Sequence, residues 1–143
     1  MGQSNDAVQP LPNTNDIRAV VVFIDVFNSP DFSFGRFEGG DRREDGTITM
    51  PYFVESDNAR RFIQALHKHG FIRPFNWPDW QNEAQRYLEQ PEALNTADLE
   101  TICKLFTTHV RKERFCEGHL ASMFECGHIV HLLHRLRVII KHD

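Results

Sequence analysis

Cysteine is scarce in this chain: three residues, an odd number without framework spacing, which excludes a disulfide scaffold and fits a reducing cytosol. Long apolar runs are missing as well. The longest, Ala19–Ile24, is six residues between Arg18 and Asp25, too short to span a bilayer. Basic charge is not in excess either. A formal net charge of −4 leaves no basic footprint for displacing counterions from nucleic acid, which is disfavoured as a partner. The segment MGQSNDAVQPLPNTND has neither the basic nor the apolar region of a signal peptide. These absences describe a soluble, cytoplasmic protein with no membrane contact.

Tyrosine and tryptophan number only two each, against twelve phenylalanines. Phe has no polar handle and prefers a dry site, so the core is expected to be packed largely by rings. A chain of 143 residues suits one domain. Residues 1–15, polar and rich in Pro and Asn, are read as a disordered tail and residues 16–143 as a single globular domain. Charge is uneven. From Thr101 onward seven basic and four acidic residues give +3, so the first 100 residues carry −7. That asymmetry suits a protein partner or a second copy, as in a homodimer.

Periodicity predicts a mainly α (α+β) fold: about five to six helices and one small antiparallel β-hairpin. A first helix is expected after Asp16 as N-cap, running to about Phe27, although its β-branched run also suits a strand. Two alternating stretches follow. In FSFGRF, Phe32 and Phe34 share a face; in TITMPYFV, Ile48, Met50, Tyr52 and Val54 do. Pro51 makes the second an edge strand or a bulged one. With Phe37 and Phe53, these rings are expected to serve core and hairpin packing rather than base stacking. Ser56 caps a helix ending at Gly70, Asn76 starts another that Pro91 closes, and Asn95 or Thr96 caps a third through Val110. The final helix has an apolar face of Ile129, Leu132, Leu133, Leu136 and Ile140. Its polar stripe, His128, His131, Arg135 and His142, is read as a solvated face whose protonation below about pH 6.5 would alter association.

The densest cluster of reactive side chains is Arg111–Gly127, RKERFCEGHLASMFECG, joining the last two strong helical patterns. Glu117 falls where the first turn of a helix would favour a carboxylate, paired with Arg114 or bonded to free amides. As chemistry, Glu117 or His119 would be a general base and Arg114 an anion clamp, the three catalytic candidates. Arg114, Glu117, Glu125 and His128 are the candidate binding residues. Glu117 and Glu125 lie about 12 Å apart along a helix axis, too far to flank one glycosidic bond. Cys116-x-x-His119 and Cys126-x-His128-x-x-His131 form two pairs of candidate zinc ligands, but in apolar helical sequence, so no cofactor is expected and zinc is the alternative. Cys103, Cys116 or Cys126 as a nucleophile, with His109 or His119 as base, lacks any local thiol-enzyme signature.

MPYFVESDNARRFIQALHKHGFI, NWPDW and TTHVRKERFCEGHLASMFECGHIVHLLHRL together resemble a bacterial family catalogued as a domain of unknown function. The most specific part is RF-x-EG-x-LA-x-x-x-E-x-G, present as Arg114, Phe115, Glu117, Gly118, Leu120, Ala121, Glu125 and Gly127. The resemblance implies a bacterial cytosolic protein and carries over no catalytic residue. The reading is therefore a small cytosolic binding or interaction module, more readily than an enzyme. Its alternatives are an enzyme acting on an anionic small molecule through Glu117, His119 and Arg114, and a metal-binding regulator.

Overall fold

A computed structural model describes residues 10–141. Residues 1–9 of the expected tail, and His142 of the polar stripe, lie outside them. The described residues form seven α-helices and one two-stranded antiparallel sheet, the mainly α class with a small hairpin that the periodicity predicts, with more helices than the five to six expected. None of these helices is long and apolar enough to cross a membrane.

The first segment is helical, broken at Val22 into α1 (Thr14–Val21) and α2 (Phe23–Phe27). Ile17, Val20, Ile24 and Phe27 are its buried residues, and that helical spacing places the β-branched run in a helix. The cap is Asn13, not Asp16. The Asn13 side chain accepts from the Asp16 amide at 2.8 Å while the Asp16 carboxylate accepts from the Asn13 amide at 3.0 Å. This reciprocal capping box moves the start into what the sequence suggested was tail.

Ser56 caps α3 (Asp57–Lys68) as expected, accepting from the Ala59 amide at 3.2 Å. The chain leaves α3 through Gly70, whose φ of +81° suits a residue without Cβ. Asn76 caps nothing; its side chain donates to Asp79, and a single 3₁₀ turn at Trp77–Trp80 leads into α4 (Gln81–Glu89). Asn95 and Thr96 are absorbed in a second 3₁₀ turn, Pro91–Thr96. Asp98 caps α5 (Leu99–Lys112) instead, because its carboxylate reaches the Thr101 amide at 2.8 Å. The last two helices, α6 (His119–Glu125) and α7 (His128–Lys141), are separate, with Gly127 at φ +84° between them.

α7 lies against α1, α2, α5 and α6, burying Ile129, Leu132, Leu133 and Leu136. Beside it the core is a lattice of rings. Phe27 meets Phe62 at 4.9 Å and 89°, and Phe124 at 4.8 Å and 81°, edge-to-face arrangements that align ring edges with ring faces.

The hairpin pairs β1 (Gly35–Glu38) with β2 (Tyr52–Glu55) in the register Gly35↔Glu55, Arg36↔Val54, Phe37↔Phe53 and Glu38↔Tyr52. Pro51 stands immediately before the first paired residue of β2. Of the row expected to share a face, Ile48, Met50 and Tyr52 are exposed, Met50 by 81%, and Val54 is half-buried; Tyr52 was expected in packing and is not. Phe53, of opposite parity, turns toward the helices and stacks on buried Phe34 at 5.7 Å. Its ring lies so close to Gly35 that a Cβ there would sit 2.7 Å from it and 2.3 Å from the Val54 carbonyl oxygen. Phe37, expected in packing, is 64% exposed.

Candidate functional site

The joint between α5 and α7 is built by Glu113. Its two carboxylate oxygens accept from the Gly118 amide at 3.1 Å and the Leu120 amide at 2.8 Å, amides that open α6. Gly118 enters at φ +95°, a conformation that suits glycine. Helix-start chemistry is thus present, but Glu113 supplies it and not Glu117. Among the described residues, neither Glu117 nor Arg114 makes a side-chain hydrogen bond or ion pair, and both are exposed. The charges of Arg111 and Arg114 add to burial in lowering the pKa of His67, so Arg114 belongs to a basic neighbourhood.

His119 points inward. Its Nε2 lies 2.9 Å from Nδ1 of His109, a residue of α5 only 2% exposed. The His109 ring meets that of His128 at 90° with centroids 4.9 Å apart. His128 was expected on a solvated stripe; it is buried, because the polar arc of α7 begins under α5 and α6. Burial lowers all three imidazole pKa values, His109 well below the ordinary value and His128 to about 4, with the neighbouring histidines adding to the effect at His109 and His128. The adjoining hollow, bounded by Gln81, Gln85, Lys112 and His119, measures about 10 Å³, room for a water and not for a substrate.

The proposed zinc ligands do not converge as one set, although Cys126, His128 and His131 line a common hollow of about 110 Å³. Cys116 and Cys126 are exposed, and Cys126 Sγ lies 3.6 Å from the Met123 carbonyl oxygen. His131 points to Asn95 at 3.3 Å. Among the described residues no three His, Cys, Asp or Glu side chains are grouped to hold a metal ion. Cys103 is buried, and desolvation pushes its thiol up to about 12, far from a nucleophile's range.

A more open concavity lies on the other side of α6. A groove of about 350 Å³ runs between β1 and α6, lined by Phe32, Phe34, Phe53, Ala121 and Phe124, with Glu125 at its rim as the one charged lining residue. Phe32 also walls an adjoining hollow of about 370 Å³ that carries Asp25 and Asp31. Neither contains a basic side chain. Of the binding candidates, Glu125 alone faces this groove; His128 is in the core, and Arg114 and Glu117 line neither hollow. Sequence reasoning missed Glu113, and named His109 only as a base for a cysteine and not as the partner of His119; these contacts span up to seven and ten residues across a loop. The groove had a signal, the phenylalanines around the hairpin, but reading them all as packing concealed it.

No curated protein and no solved structure gives a significant match to the chain. The profile of one family matches residues 12–142, nearly the whole sequence. The chain belongs to that family, described as a family of unknown function (DUF6508).

Proposed function

We propose that the protein is an interaction module whose groove between β1 and α6 takes a large apolar side chain from a partner that also carries a basic group. One observation carries this reading: an open groove of about 350 Å³ walled by four phenylalanines, with the Glu125 carboxylate as its one charged group and no cation. Its volume is at the small end of ligand sites, roughly 300–1,000 Å³. Rings supply the contact area, while Glu125, with Asp25 and Asp31 beyond Phe32, favours a cationic neighbour over an anionic one. The enzyme alternative loses support because Glu117 and Arg114 face solvent and His119 is occupied by His109.

Selection of short linear peptides from a displayed library on the intact chain tests the reading. The expected consensus is an aromatic or large aliphatic residue beside Lys or Arg. Glu125→Lys, an exposed change, should shift the flanking preference toward Asp or Glu, and Ala121→Trp should abolish selection by filling the groove. A library that yields no consensus, or one indifferent to both substitutions, overturns it.

A further inference from the structure

We infer that β1 is a self-pairing edge: two copies join antiparallel through their β1 strands, centred on Phe37, into one four-stranded sheet. The inference does not depend on the groove's partner, although Gly35 of β1 and Phe53 also line that groove. A two-stranded ribbon is marginal in water, and among the described residues neither edge of this one has a further strand. The two edges differ. Ser56 N–H donates to the Phe34 carbonyl at 2.7 Å and Gly40 N–H to the Thr49 carbonyl at 2.6 Å. Even-numbered residues of β1 therefore spend their main-chain groups on β2, while Gly35 and Phe37 present theirs outward, the Gly35 carbonyl also accepting from the Ser33 hydroxyl at 3.0 Å. On β2 the corresponding outward row begins at Pro51, which has no N–H to give, and Ser56 turns the chain into α3 directly after it. β1 is the edge without such protection.

Charge then selects the register. Because only odd-numbered residues offer outward groups, a two-fold pairing can centre on Phe37, on the charged positions beside it, or on Gly35, where Arg36 would face Phe34 and gain no opposite charge. Centring on Arg36 sets Arg36 against Arg36 of the second copy; centring on Glu38 sets Glu38 against Glu38. Centring on Phe37 sets each Arg36 opposite the other copy's Glu38, twice, with like charges nowhere opposed. In the monomer these two side chains already share a face and bond, Arg36 Nε to Glu38 Oε2 at 2.7 Å. The same register places Phe37 against Phe37, each backed by its own Phe53 at 5.1 Å, so four rings would form a row on one face. The exposure of Phe37 then has a use. A four-residue edge is a small interface, so the dimer is of the weak, reversible class.

Sedimentation equilibrium of the full chain between about 10 µM and about 500 µM is expected to show monomer–dimer exchange, as suits a small interface. Arg36→Glu alone, or Glu38→Arg alone, makes the edge uniformly charged, and each should weaken the dimer roughly tenfold or more. An equimolar mixture of the two single variants should recover association as a heterodimer, although neither restores its own internal Arg36–Glu38 contact. The double swap R36E/E38R should associate like the wild type. A wild type that stays monomeric throughout overturns the inference, and so do single variants that self-associate normally or a mixture that does not recover.

Discussion

His109 Nδ1 lies 2.9 Å from His119 Nε2, and this one contact fixes how a buried group of three imidazoles can be protonated. His109 Nε2 has no protein partner among the described residues, and neither does His128 Nε2. If His109 donates from Nδ1, its buried Nε2 is left as a bare lone pair. The opposite tautomer would bury an unbonded N–H, the rarer situation in folded proteins. The trio is therefore neutral, with His109 as donor to His119.

Stability should fall on the acid side as a result. Each of the three has its pKa lowered in the fold, so below about pH 6.5 the unfolded chain binds more protons than the native one and stability declines with pH. Their contribution is intact above the unfolded value near 6.5 and is lost as pH falls toward about 4, where native His128 protonates. His128 alone accounts for on the order of 3 kcal/mol across that interval. Urea midpoints measured from pH 4 to 7.5 should slope upward through this window; a flat profile would contradict the neutral trio.

His128→Phe isolates one member. A ring of similar shape removes a buried nitrogen with no partner, so stability at pH 7 should hold or rise by about 1 kcal/mol. The acid-side slope should flatten relative to the wild type. Loss of stability at pH 7 by more than about 2 kcal/mol, beyond what a volume-conserving swap costs, would show that His128 Nε2 does have a partner.

Glu113 and Glu117 separate under substitution. Glu113→Ala removes two hydrogen bonds from the start of α6 and should cost about 1–2 kcal/mol, the range of a lost helix cap. Glu117→Ala touches no bonded group and should stay within about 0.5 kcal/mol. Thermal unfolding of both variants side by side decides it. Equal effects would mean that Glu117 shares the cap.

The pair also shows what the sequence made legible. Stripes at helical spacing placed α3, α5 and α7, because burying an apolar face is a local pattern with a long-range cause. Ring packing followed from twelve phenylalanines with few other aromatics. Caps were harder. Asn13 and Asp16, or Thr96 and Asp98, are chemically interchangeable on the page, and which side chain meets an amide depends on where the chain turns. Alternation grouped Ile48, Met50 and Tyr52 but could not say that their side is the exposed one, since period two marks which residues share a face and not which face meets the helices. His109 sat in the predicted apolar stripe, so its burial was readable; that His119 and His128 would close on it was not. That juxtaposition depends on two glycine-hinged turns, at Gly118 and Gly127.

Glu55 bends the pH profile from the other side. Its pKa is raised by burial beneath the hairpin first and by the charge of Glu113 second, with Arg60 opposing. A carboxyl whose native pKa is raised favours the fold while protonated and disfavours it as pH climbs through that value. Glu55→Gln keeps the shape and removes the charge, so the variant should exceed the wild type in stability at pH 7. The advantage should shrink as the pH falls and wild-type Glu55 takes up its proton, which its raised pKa sets above the ordinary value for a glutamate. Glu113→Gln should recover part of the same gain at Glu55 by removing the second carboxylate, offset by its weakened cap on α6. Urea midpoints of both variants at pH 4.5 and 7 test this, and a Glu55→Gln protein less stable than the wild type at pH 7 would show that the charged carboxylate is held by a favourable contact rather than by two unfavourable ones.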